Sequence, residues 1–148
     1  MVYPVSDIAS YFIQRENENE EFGENITNLK LQKLVYYAQG FHLAWYGEPL
    51  FLDPIEAWAH GPVVPPLYSK YQEYGAKPLP SPPEFDPAAI DERTRELLEE
   101  VYQVYGQYSA WGLRNLSHEE APWKDTPRNG IISHEAMRTY FANHLTVG

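Results

Sequence analysis

A mainly α-helical bundle in one domain, carrying a small β-arm, is the fold predicted for these 148 residues. Three observations predict it. Between Thr27 and Tyr46, residues Leu31, Leu34, Val35, Ala38, Phe41, His42 and Trp45 recur at the i, i+3, i+4, i+7 spacing of one helix face, and Tyr36, Tyr37, Gly40, Leu43 and Ala44 widen that face. A helix apolar around most of its circumference is the buried centre of a small domain rather than a surface helix. Helical stripes also precede and follow it, separated by Gly and Pro punctuation. Finally, the length is that of one ordinary domain, enough to bury roughly two thirds of the unfolded chain's surface without a disulfide or metal. The expected architecture is a compact bundle of about five to six helices around residues 27–46, with a hairpin or arm over about 50–59, in a single domain spanning 1–148.

The first helix is expected over Pro4 to Gln14, with Val5, Ile8, Ala9, Phe12 and Ile13 as its stripe and Ser6 capping the first turn. The following RENENEEFGEN holds five glutamates and a single apolar residue, Phe22, and reads as a solvated loop or, alternatively, an acidic patch from Glu16 to Glu24 facing a basic partner. Thr27 is placed to cap the central helix, and Gly47 and Pro49 to end it. Its few polar positions are Lys30, Gln32, Lys33 and Gln39, of which Gln32 and Gln39, seven apart, share an edge. Leu50–Leu52 and Ile55–Ala59 then read as short extended runs on either side of Asp53-Pro54. So small a hairpin must lie against the central helix to be stable.

Pro65 and Pro66 suit the first turn of a helix carrying Leu67, Tyr68, Tyr71 and Tyr74 to Gly75. Lys77 to Pro87 holds five prolines, a stiff connector whose Pro80-to-Pro83 stretch matches the minimal PxxP pattern. Asp86 and Pro87 are expected to start the next helix, with Ile90, Thr94, Leu97, Leu98, Val101, Val104 and Tyr105 facing inward and Asp91/Arg95 and Arg95/Glu99 as exposed pairs. Gly106 ends it. A shorter helix from Ser109 is expected to bury Trp111, Leu113 and Leu116. Ser133 caps the last helix, whose inward stripe is Met137, Tyr140, Phe141 and Leu145.

Composition narrows the function. The formal charge of −10, from 21 acidic and 11 basic residues, repels phosphate backbones, so no nucleic-acid partner is expected and a basic protein partner suits the chain better. The chain has no cysteine, which excludes thiolate chemistry and agrees with a reducing cytoplasm. A signal-like start and a membrane-spanning apolar run are both missing from the sequence, so no membrane partner is expected. Twelve tyrosines and four tryptophans are the side chains that anchor interfaces, and also those that fill cores.

Enzymatic readings are thin. The histidines at 42, 60, 118, 134 and 144 include no pair at ligand spacing on one helix face, and HExxH, GxSxG, GxxxxGK[ST] and GxGxxG are all missing. A small hydrolase or metal enzyme using His60 or His118 stays open as an alternative. His118-Glu119-Glu120 reads more simply as a helix end, and Lys33 beside Tyr37 as a lysine snorkelling from a buried helix. The preferred reading is a non-enzymatic binding module that uses neither cofactor nor metal.

The central stretch carries more than periodicity. LQKLVYYAQGFHLAWYGEPLF followed by PIEAWAHGPVVPPLY closely resembles the defining segment of the Panacea domain, the SocA-like and GepA-like family. YGQYSAWGLRNLSHEEAPWKDT resembles the family's second signature, a helix ending in a Ser/Thr-His-x-x-x-Pro-Trp run, and ISHEAMRTYF its closing helix. The resemblance implies a predominantly helical antitoxin domain that neutralises a cognate protein toxin by direct binding. A variant within the family implies an alternative, an adaptor delivering the toxin to the ClpXP protease. Among the residues matching the motif, Leu34, Trp58, Gly61, Pro62 and Trp123 are expected to maintain the fold. Gln32, Lys33, Tyr37 and His60 are the candidates for partner contact, with an internal hydrogen-bond network as the competing reading. Specificity for one toxin is then expected outside the motif, in the acidic loop, the proline-rich connector or the exposed helix faces.

Overall fold

The computed structural model describes residues 2–18, 26–82 and 84–144. Thr27 starts the central helix, α2 (Asn28–Tyr46), by accepting the amide of Lys30 on its hydroxyl. Gly47, at φ 72°, ends it and returns its amide to the Leu43 carbonyl. Every residue from Lys30 to Leu43 is buried, so α2 is surrounded on all sides. Around it lie α1 (Val5–Glu18), α3 (Pro65–Tyr71), α4 (Glu92–Tyr105), α5 (Ala110–His118), α6 (Ala121–Lys124) and α7 (His134–Ala142), seven α-helices among the described residues.

The closest partner of α2 is α7. Gly40 makes the approach possible: a Cβ there would lie 2.2 Å from the Phe141 ring. Phe141 fills that gap and packs edge-on or tilted against Tyr36, Tyr37 and Phe41, while Tyr105 of α4 stacks on Tyr37 at 3.9 Å. Such aromatic pairs each add about 0.5–1.5 kcal/mol beyond the area they bury.

The β-element is a three-stranded antiparallel sheet, β2 (Gly61–Val63), β1 (Ile55–Trp58) and β3 (Ile131–Ile132) in that spatial order. Its hairpin turns at Ala59-His60, later than the Asp53-Pro54 turn expected from the sequence, and the third strand comes from the far end of the chain. Leu50 and Phe51 form no strand. They are buried because the Gln39 amide satisfies their backbone, its Oε1 accepting from the Leu50 amide at 2.7 Å and its Nε2 donating to the Phe51 carbonyl at 2.8 Å.

Other boundaries shift for local reasons. The first helix begins at Val5, so Ser6 lies inside its first turn, and it extends to Glu18 because Glu16 is buried in an ion pair with Lys30 at 3.0 Å. The rest of the expected acidic loop, 19–25 with Phe22, lies outside the described residues, as do Pro83 of the PxxP stretch and Leu145. Asp86-Pro87 starts only a short 3-10 turn, Pro87–Ala89, because Ile90 is extended; Asp91 is the true cap of α4 and accepts the Thr94 amide. Glu99 pairs with Arg15 of α1 at 2.9 Å instead of with Arg95. Trp111, expected inward, is 60% exposed.

Candidate functional site

Seven polar or amphipathic side chains of α2 point into the protein and bind neighbouring segments. Lys30 donates to the Gly106 carbonyl at 2.6 Å. Gln32 donates to Asn28 and accepts the Val64 amide at 3.0 Å. Lys33 donates to the Pro62 carbonyl at 3.3 Å. Tyr36 and Tyr37 both donate at 3.0 Å to the two oxygens of one carboxylate, Glu120. Gln39 clamps residues 50–51, and His42 Nδ1 is 2.6 Å from the Glu48 carbonyl. Unsatisfied, each of these groups would cost about 1–3 kcal/mol. Together they join the helix to the strands, the turn after it and the start of α6.

The ionisable members feel their burial. Lys33 is pushed down to about 7, by burial first and then by the nearby Arg114 guanidinium. Glu120 is pushed up to about 7 by burial, held back by its two tyrosine hydroxyls. Those hydroxyls are themselves driven well above the ordinary tyrosine range, by burial first and then by Glu120. Both groups sit close to neutral pH, as a general acid or base would. Neither lines the grooves described below; both tie α2 to other segments of the chain.

The sequence-predicted contact residues therefore separate. Gln32, Lys33 and Tyr37 are fully buried and form the internal network that was the competing reading for them. His60 stands apart: it is exposed at the β1–β2 turn and lines a groove of about 390 Å³ with Leu29, Tyr68, Ala76 and the exposed Trp111. Leu34 is fully buried. Gly61, at φ +110°, brings the backbone against Lys33 so closely that a Cβ would lie 2.7 Å from Lys33 Cε. Trp58 packs on Tyr68 and its carbonyl accepts from Trp123 Nε1 at 2.8 Å. The His118 ring stacks on Trp123 at 3.9 Å. Among the described residues, no group of three or more His, Asp or Glu comes together to hold a metal, and no helix is long and apolar enough to cross a membrane.

Pro62 fits the alternation of hydrogen bonds in the sheet. Ala57 gives its amide to the Gly130 carbonyl at 2.9 Å, on the β3 side, so in the alternating antiparallel pattern the facing pair Ala57–Pro62 exchanges no hydrogen bond. Proline's missing donor costs nothing there. Its carbonyl points to the outer edge of β2, where Lys33 takes it, and Gln32 takes the Val64 amide just beyond. The two motif side chains thus seal one edge of the sheet.

The other edge is open. By the same alternation Glu56 and Ile131 face each other without exchanging bonds, so the amide and carbonyl of Ile131 point away from the sheet. Ile131 is 62% exposed and borders a second groove, of about 590 Å³, between α6 and α7. Neither this groove nor the role of Glu120 was foreseen from the sequence: a two-residue strand has no periodicity, and a glutamate after a helix end carries no local sign of burial.

Comparison with known proteins agrees with this frame. The family model described as "Antitoxin SocA-like, Panacea domain" matches residues 31–124, the span from the middle of α2's first turns through α6. "Antitoxin SocA" of Caulobacter vibrioides (strain NA1000 / CB15N) is 34% identical over 122 residues, 71% of this chain and 61% of that protein. The chain thus covers about three fifths of that relative's length. No solved structure matches significantly. With the match running across the buried network from Gln32 to Trp123, the chain belongs to the SocA-like, Panacea-domain antitoxin family.

Proposed function

We propose that this protein is an antitoxin that neutralises a cognate protein toxin by direct contact, acting in the cytoplasm without cofactor or metal. The observation that carries the reading is the family match over 31–124. Support comes also from the name of the Caulobacter relative and from the net charge of −10, which favours a basic partner. His60 is the motif side chain free to touch that partner, and the adjacent Trp111 is the kind of exposed aromatic that anchors interfaces.

Co-expression with the product of the neighbouring gene tests this. Growth should be restored and the two proteins should co-elute on size exclusion. His60→Ala and Trp111→Ala should weaken the complex while leaving the melting temperature within a degree or so of the parent, as surface substitutions do. Persistent toxicity with no complex sinks the proposal. Restored growth with loss of the toxin, abolished when ClpXP is removed, would instead make the chain a proteolytic adaptor.

A further inference from the structure

The two edges of the small sheet are treated differently by the fold. At β2, Lys33 and Gln32 reach from α2 to occupy the outward backbone groups, so nothing can add there. At β3 the outward amide and carbonyl of Ile131 have no such cover among the described residues, and an exposed branched apolar side chain sits between them. Open edges of this kind are normally blocked by charge, proline or a covering element. This one is instead continuous with the groove between α6 and α7, whose floor includes Pro122, Ala136 and Tyr140. Part of its polar lining is already engaged: Thr126 donates to the Pro122 carbonyl, Ser133 caps α7, and Asn143 donates to the Thr139 carbonyl. What remains available is apolar surface, the hydroxyls of Thr139 and Tyr140, one residue's worth of edge backbone, and two carboxylates.

Those carboxylates are Asp125 and Glu135. No lysine or arginine lines the groove, and neither acid has an ion-pair or hydrogen-bond partner among the described side chains. Arg138 on the same helix lies by Gly47, at the far end of α2, and Arg128 lies over the Trp123 ring. The groove is therefore an apolar trough with an uncompensated acidic rim.

We propose that the open β3 edge and this groove receive a segment of the toxin in which an apolar side chain is flanked by lysine or arginine. The apolar side chain packs beside Ile131 on Pro122 and Tyr140, the flanking cations meet Asp125 and Glu135, and the segment's backbone can bond to the free amide and carbonyl of Ile131. A second copy of this chain fits worse. Self-pairing would set the same two carboxylates against each other within molecules that each carry −10. The inference rests on the antitoxin reading and assigns a contact surface to it in addition to the His60 groove.

The test uses the full chain and the purified product of the neighbouring gene. Ile131→Lys places a charge in the trough, and Asp125→Lys with Glu135→Lys reverses the rim; all three positions are exposed, and unchanged circular dichroism and melting temperature establish that the variants fold. Ile131→Lys should weaken binding at least about tenfold, as loss of a central apolar anchor does. The double reversal should weaken it comparably and flatten its dependence on salt. Folded variants of both kinds that bind like the parent would overturn the assignment while leaving the antitoxin reading intact. No complex with the parent protein would overturn the antitoxin reading and this inference with it. Parent protein that dimerises in sedimentation, and becomes monomeric with Ile131→Lys, would give the edge to a second copy instead.

Discussion

Lys33 and Glu120 approach neutrality from opposite sides, and each leaves its own signature on stability. Glu120 titrates at about 7 in the folded protein and near 4.5 unfolded, so the native state holds the extra proton between those values. Its contribution is complete below about 4.5 and is lost as pH rises to 7. Lys33 titrates at about 7 folded and near 10.5 unfolded, so the unfolded state holds the extra proton. Its contribution is complete above 10.5 and is lost as pH falls to 7. Stability from this pair is thus lowest near pH 7. Denaturant unfolding should show Glu120→Gln removing a fall between about 4.5 and 7, and Lys33→Met removing a rise between 7 and about 9.5, where the tyrosines remain protonated. Each slope has a ceiling of about 1.4 kcal/mol per pH unit. Variants whose profiles run parallel to the parent's would mean that the two groups are solvated in the folded state.

Packing of α2 on α7 depends on one position without a side chain. Gly40→Ala would drive a methyl into the Phe141 ring and should destabilise by about 1–3 kcal/mol, read by chemical unfolding. Phe141→Leu, which shrinks the obstacle, should recover part of that loss, so the double variant is more stable than the sum of the single changes. Strict additivity would show that the two do not compete for space. At this scale the sequence was readable wherever apolar periodicity or backbone chemistry decides: Thr27, Gly47 and Pro65 mark helix ends where the structure has them, and Leu34 and Phe141 are core as their spacing says. It was unreadable where polar groups are buried. Lys33, Glu16 and Glu120 break the rule that charge faces water, and only distant partners supplied by other segments make their burial tolerable. Trp111 misleads in the opposite sense, since its spacing places it inward while Leu113 takes the inner position of α5. Residues 55–63 needed a third strand from 131–132 to be recognised as a sheet.

The whole molecule carries its charge unevenly in function. Its buried acids are spent on internal partners, whereas Asp125 and Glu135 face outward with the remaining surface acids. Association with the proposed basic toxin should therefore slow as salt is raised from about 0.05 to about 0.5 M, mostly through the on-rate, with dissociation changing less. An on-rate indifferent to salt would place the recognition on apolar contact alone. A separate consequence follows from how far apart in the chain the polar partners lie. Tyr36 and Tyr37 reach Glu120 across 84 and 83 residues, Arg15 reaches Glu99 across 84, Tyr102 reaches Glu16 across 86, and the Asp91 amide reaches Tyr3 across 88. Local helix formation cannot satisfy any of these groups early, because each partner is synthesised more than half the chain later. Nascent chains halted before Glu120 should remain sensitive to protease, and those extended past Phe141 should become resistant. A chain built in this way stays unfolded on the ribosome until the segment from Glu120 to Phe141 has been made, so any surface that depends on α2 being packed forms only after that segment emerges.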